Sequence, residues 1–191
     1  MRHCYVCKKK YTQLHHFYDQ MCPECAELNF FKRTELADLS GRVALLTGGR
    51  VKIGYQAGLK LLRAGAHLIV TTRFARDSAA RYSQEPDFEH WGHRLEVFGL
   101  DLRHTPSVEA FCREISTKYS RLDFIINNAC QTVRRPPEFY AHMMEAETAA
   151  LRDTPEHVRK LLGSYEGLRS HDLLPEASAM QVAIKQGLPE V

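Results

Sequence analysis

Cys4-x-x-Cys7 and Cys22-x-x-Cys25 are separated by fourteen residues, a spacing that lets two tight turns each present two thiolates to one tetrahedral Zn²⁺. Four sulfurs close the shell, so the metal would be structural: no position is left for a substrate or an activated water. Pro23 presets a turn dihedral inside the second pair. Lys8, Lys9 and Lys10 follow the first pair, where positive charge favours the thiolate that metal binding requires. His3, His15 and His16 are substitute ligands close by in sequence. Redox-active thiols, or a loop without metal, are the competing reading of the same cysteines. A second stretch that could do chemistry lies at residues 41–54, GRVALLTGGRVKIG, where an apolar run ends in glycines and opens a helix. Such a turn aims free backbone N–H groups, and the positive end of a helix dipole, at a phosphate.

The elements that must hold these residues follow from composition and period. With 191 residues and 44% hydrophobic content, the chain suits a small domain plus a medium one. From Gly41 onward, strands and helices alternate. The expected strands are Val43–Leu46, His67–Thr71, Leu95–Leu100 and Phe124–Asn127, and the expected helices Ile53–Ala64, Ala75–Ser83 and Ser107–Tyr119. Strands apolar on both faces and linked by helices predict a parallel sheet covered on two sides. Three segments result: 1–36 as a zinc-binding module, 37–135 as a Rossmann-like region and 136–191 as a helical and partly disordered tail. The aromatic residues Tyr11, Phe17, Tyr18, Phe30 and Phe31 read as a small core around the metal or a docking surface.

The stretch from about Leu39 to Cys130 resembles the cofactor-binding half of the short-chain dehydrogenase/reductase family. The resemblance rests on Thr47-Gly48-Gly49-Arg50-Val51-Lys52-Ile53-Gly54, on Leu100-Asp101-Leu102 after the third strand and on Asn127-Asn128-Ala129-Cys130 after the fourth. It implies an α/β fold with about four parallel strands in the order 3-2-1-4. It also implies a nicotinamide site in which Gly48, Arg50, Lys52, Ile53 and Gly54 surround the phosphates, Asp101 and Leu102 face the adenine, and Asn127 and Ala129 line the ribose side. The second strand ends in Thr71-Thr72-Arg73. The acid expected there for a free ribose 2′-hydroxyl is absent, and Thr72 and Arg73 suit a 2′-phosphate, which favours NADP(H) over NAD(H). Two departures stand out: Lys52 replaces the family's second glycine, and Cys130 replaces the last glycine of Asn-Asn-Ala-Gly.

The family's catalytic Ser, Tyr and Lys, the last four residues after the Tyr, lie beyond the fourth strand. Here Tyr140 is followed four residues on by Met144, and Tyr165 by Arg169. Arginine cannot stand in for that lysine, since its pKa is too high and its donor fork has another geometry. No catalytic residue is therefore assigned. The order 3-2-1-4 would leave Phe124-Ile125-Ile126 at an open edge, to be covered by a protein partner, by self-association or by the C-terminal helices. Two classes of function remain: an NADP(H)-dependent oxidoreductase lineage cut short of its acid/base pair, and a non-catalytic zinc-containing interaction or NADP-sensing module.

Bulk charge narrows the partners. A formal net charge of +3 gives no electrostatic footprint for nucleic acid or a membrane surface. Over residues 1–36 the side chains carry a small positive excess, and a zinc with four thiolates would cancel it. With neither an apolar leader nor a run of about 18 apolar residues, the expectation is a cytoplasmic protein whose six cysteines are ligands and free thiols.

Overall fold

A computed structural model describes residues 1–130, 137–148 and 151–162. The Tyr165/Arg169 pair, the short apolar run Val182–Ile184 and the tail after Leu174 lie outside the described residues. The chain divides into two compact units, Met1–Ala37 and a second beginning at Asp38.

In the first unit, β1 (Arg2–His3) pairs antiparallel with β2 (Lys10–Tyr11), and helix α1 (Pro23–Lys32) follows. The hairpin closes through Cys4 N–H donating to Lys9 O (2.9 Å) and Lys8 N–H to Cys4 O (3.0 Å). To make this turn Lys8 takes a positive φ of 63°, a conformation that normally favours glycine. Cys4, Tyr11 and Cys22 form a buried cluster, with Met21 and Cys25 packed against it. Only Tyr11 of the five expected core aromatics is buried. Phe17 and Phe31 are 51% and 65% exposed.

The second unit is built on a parallel sheet of β3 (Val43–Thr47), β4 (His67–Thr72), β5 (Leu95–Gly99) and β6 (Phe124–Asn127), in the spatial order β5-β4-β3-β6. That is the expected order, the third, second, first and fourth strands of the unit. Val43 registers with His67, Leu68 with Leu95 and Ala44 with Phe124. The helices are α2 (Lys52–Arg63), α3 (Ala75–Ser83), α4 (Phe88–Trp91), α5 (Thr105–Lys118), α6 (Ala141–Thr148) and α7 (Glu156–Arg159).

Alternation along the strands divides the core in two. Ala44, Leu46, Leu68, Val70 and Val97 face Leu59 and Leu62 of α2, together with Tyr82 and Trp91, while Ile69 and Phe98 face Phe111 and Ile115 of α5. Val158, Leu161 and Leu162 also bury in the first cluster, so the chain beyond the sheet supplies part of its core. The edge strand β6 is the exception to coverage: Phe124 and Ile125 are 39% and 61% exposed.

At the end of the sheet where β4 and β5 begin, Glu96 accepts from Lys118 Nζ (2.5 Å) and from the Tyr119 hydroxyl, with His67 Nε2 at 3.2 Å. Burial alone would raise this carboxyl, but His67, Lys118 and Tyr119 outweigh it and hold Glu96 at about 2, below its ordinary 4.5. A depressed carboxylate contributes stability above its ordinary pKa and loses it as pH falls toward the folded value. Glu96→Gln is therefore expected to lower stability at neutral pH by about 1–2 kcal/mol, discounted for partial exposure. In urea titrations followed by Trp91 fluorescence, the gap from wild type should narrow steadily from pH 4.5 toward pH 2. A constant gap would mean that packing, not charge, holds this corner.

Candidate cofactor cradle and cysteine cluster

The four cysteines converge. Cys22 is the N-cap residue of α1 and Cys25 lies in its first turn, while Cys4 and Cys7 flank the tip of the hairpin turn, so helix start and turn face one point. The four sulfurs lie within 4.8 Å of one another, and Cys7 Sγ and Cys22 Sγ are 3.7 Å apart. A tetrahedron with Zn–S of about 2.3 Å has edges of about 3.8 Å. Burial disfavours a Cys4 thiolate, yet backbone N–H groups of Cys22, Cys7 and Val6 bring its pKa down to about 6. Cys25 is pushed up to about 12, chiefly by the neighbouring Cys22 sulfur and then by burial. One sulfur ionises readily and another holds its proton against crowding anions, the electrostatic situation that a central dication resolves.

The glycine turn leaves β3 at Thr47 and enters α2 at Lys52. Gly48 has φ +69°. Its N–H donates to Thr71 O (2.8 Å) and its carbonyl accepts from Asn128 Nδ2 (3.0 Å), while Ala129 N–H donates to Thr47 Oγ1 (3.0 Å). The ends of β3, β4 and β6 are thereby tied around one turn. A Cβ on Gly54 would stand 2.3 Å from Gly48 O and 2.4 Å from Asn128 Nδ2, and one on Gly48 would stand 2.9 Å from Ala129 Cα. Both positions require glycine for close backbone approach.

Lys52 also has a positive φ of 54°. This left-handed backbone is one that glycine adopts freely and that costs an L-residue about 1–2 kcal/mol. The N-terminus of α2 has no side-chain cap and no acidic residue in its first turn. Its free N–H groups and positive dipole end stay available to an anion. Ile53, 79% exposed, stands beside this opening.

The remaining predicted residues take varied positions. Thr72 is buried at the end of β4, its hydroxyl accepting from Phe74 N–H at 3.2 Å. Arg73 has no hydrogen bond or ion pair among the described residues; its guanidinium lies 5.5 Å from the Phe74 ring and 5.2 Å from the Tyr140 ring. Arg50 is engaged, its Nη1 2.7 Å from Asp77 Oδ2 and 3.4 Å from Met143 Sδ. Asp101 is buried and bound by Arg103 through side chain and backbone. Burial opposes its charge, but Arg103 keeps the carboxyl below the usual carboxylate range. Leu102 is half exposed, and Asn127 and Ala129 are exposed at the end of β6. Cys130, in the place of glycine, is exposed.

Two residues outside the predicted set organise the turn: Asn128, which holds the Gly48 carbonyl, and Thr47, which receives Ala129 N–H. Their signal in the sequence is the doubled asparagine and the threonine before the glycines. Tyr140 is the one candidate tyrosine among the described residues. It packs on Phe74, just past the end of β4, with ring centroids 5.3 Å apart.

The family profile described as short chain dehydrogenase matches residues 42–152. The chain belongs to the short-chain dehydrogenase/reductase family. A protein of Acanthamoeba polyphaga mimivirus is 40% identical over 138 residues, covering 70% of this chain and 30% of that protein. Dehydrogenase/reductase SDR family member 13 of Bos taurus is 34% identical over 106 residues, covering 53% and 28%. Among solved structures, the RhlG/NADP active-site complex of Pseudomonas aeruginosa is 28% identical with a TM-score of 0.42, covering 56% of this chain and 41% of that one. The chain spans about three-tenths of the length of the mimivirus and Bos taurus proteins. Among the described residues, no helix is long and apolar enough to cross a membrane.

Proposed function

We propose that the unit beginning at Asp38 binds NADP(H), with the pyrophosphate at the N-terminus of α2 and the adenosine 2′-phosphate at Arg73. The observation that carries this reading is the α2 N-terminus: uncapped, free of acidic residues in its first turn, and approached by Gly48 and Gly54 at distances that exclude a Cβ. Arg73 supports the phosphate at the other end: its guanidinium makes no hydrogen bond or salt bridge among the described residues, and Asp101 is the acid near enough to feel its charge. In this reading Gly48, Arg50, Lys52, Ile53 and Gly54 surround the pyrophosphate, Thr72 and Arg73 the 2′-phosphate, Asp101 and Leu102 the adenine, and Asn127 and Ala129 the ribose next to the nicotinamide. Bound there, the cofactor supplies a hydride. The protein's part is to orient it and to neutralise its phosphates.

The 191-residue chain alone is proposed not to turn over a carbonyl substrate, because neither Tyr140 nor Tyr165 is followed by lysine four residues on, and proton transfer needs a positioned group of tuned pKa. The first unit is proposed to hold one structural Zn²⁺ through Cys4, Cys7, Cys22 and Cys25. The segments 1–36, 37–135 and 136–191 serve in this reading as zinc module, cofactor-binding region and tail, in a cytoplasmic protein whose β6 edge is covered by a partner or a second copy.

Titration with NADPH, following cofactor fluorescence, tests the central claim. Wild type should saturate, and Arg73→Glu should weaken NADPH binding by about 100-fold, as expected from replacing a phosphate partner with a like charge. NADH binding should change far less. Failure of folded wild-type protein to bind either cofactor would sink the reading.

A further inference from the structure

Helix α3 begins two residues after Arg73, and its N-cap residue, Phe74, has no side chain able to cap it. The cap arrives from far along the chain. The Glu147 carboxylate accepts from Arg76 N–H (3.1 Å) and Asp77 N–H (2.9 Å), and Glu147 is only 6% exposed. From the same segment, Tyr140 lays its ring against the Arg73 guanidinium and Phe74, and Met143 is buried with its sulfur 3.4 Å from Arg50 Nη1. Arg50 and Arg73, the two arginines assigned to cofactor phosphates, are both touched by this one stretch, and a carboxyl group already sits on the amides beside Arg73, its pKa raised by burial against the opposing pull of those amides.

We infer that Pro137–Thr148 is an intramolecular strap that occupies the 2′-phosphate end of the cradle, with Glu147 as the resident carboxyl group and Tyr140 as the cover of Arg73, so that strap docking and NADP(H) binding compete. The inference rests on the proposed NADP(H) site. A plain helix cap would account for Glu147 alone. It does not account for Tyr140 and Met143 engaging the two phosphate-directed arginines at once. The dense ion pairing of this corner fits the same picture: Asp77 binds Arg50 and also Arg81 (2.7 Å each), leaving Glu147 as the carboxylate that comes from outside the βαβ scaffold. When only the strap-open fraction of molecules can accept a 2′-phosphate, apparent affinity for NADP(H) is reduced by that fraction, and loosening the strap returns it.

The test measures NADPH and NADH affinities for wild type, Tyr140→Ala and Glu147→Gln, together with hydrogen exchange of the 141–148 amides in wild type with and without saturating NADPH. Competition predicts that the variants bind NADPH at least about fivefold more tightly while NADH changes less than about twofold, and that NADPH accelerates exchange in 141–148. If the variants bind NADPH no better than wild type and NADPH slows or leaves unchanged that exchange, the strap is a structural cap; the cofactor reading survives and the competition is overturned. If folded wild type and variants bind neither cofactor, the cofactor reading falls and the strap proposal with it. Should a variant fail to fold, the wild-type exchange measurement decides alone.

Discussion

Stripping the proposed zinc from the N-terminal unit with a chelator is expected to unfold residues 1–37 while the parallel sheet stays intact. The reason is the size of the core. Cys4, Tyr11, Cys22 and Ala26 are its buried hydrophobic members, whereas Tyr5, Val6, Leu28 and Phe31 are all more than half exposed. A unit this small cannot bury enough apolar surface to offset its chain entropy, and below about 40 residues a metal or disulfides normally supply the difference. Structural zinc contributes on the order of 10–16 kcal/mol near neutral pH, more than the whole stability of many domains. Cys22→Ser should act like the chelator, since Cys22 is both a proposed ligand and the N-cap residue of α1. The single tryptophan makes the two units separable: Trp91 is 1% exposed within the sheet's core, so its emission should not move. Loss of protease resistance and of dispersed amide resonances across 1–37, with unchanged Trp91 fluorescence, is the expected result. If metal-free protein kept those resonances, the cysteine cluster would not be what holds this unit together.

Much of this architecture is legible in the residues, and the part that is not has a common physical cause. The strands from Val43, His67, Leu95 and Phe124 announce themselves by β-branched and aliphatic runs, and α2 and α5 by apolar residues on one face. These are local signals, whereas the order β5-β4-β3-β6 is implied by the family resemblance and not by the strands themselves. The cysteine spacing likewise maps directly onto the cluster. Lys52 is different: its side chain says nothing of the positive φ imposed by the need to bring Gly54 against Gly48. Nor does the sequence show that Arg50 turns to Asp77, or that Glu147 travels 71 positions to cap α3. Polar partners are chosen by tertiary geometry, and a short segment such as 156–162 gives no sign that Val158, Leu161 and Leu162 bury against a sheet that ended thirty residues earlier. Local periodicity specifies elements; the pairing of charges and caps across elements does not follow from it.

The close approach of Gly54 to Gly48 supports a second large effect. Gly54→Ala is expected to cost about 2–4 kcal/mol, and to lower the melting temperature of the sheet unit by about 5–15 °C. The added Cβ would stand 2.3 Å from the Gly48 carbonyl oxygen and 2.4 Å from Asn128 Nδ2. Gly48 cannot retreat without releasing its N–H from Thr71 O, and Asn128 cannot retreat without freeing the carbonyl that it holds. The remaining escape, sliding α2 outward, would uncover Leu59 and Leu62, both essentially inaccessible to solvent. Every relaxation therefore costs either a buried hydrogen bond or apolar contact, and each widens the turn that is proposed to cradle the pyrophosphate. NADPH binding should fall with the stability. Gly41→Ala is the informative comparison: Gly41 has φ +73° but nothing within 4 Å of an added Cβ, so it should incur only the left-handed backbone cost of about 1–2 kcal/mol and leave cofactor binding alone. If Gly54→Ala instead melted with wild type and still bound NADPH, the contact between the turn after β3 and the turn after β6 would be dispensable, and the cradle would have to be sought elsewhere on the sheet.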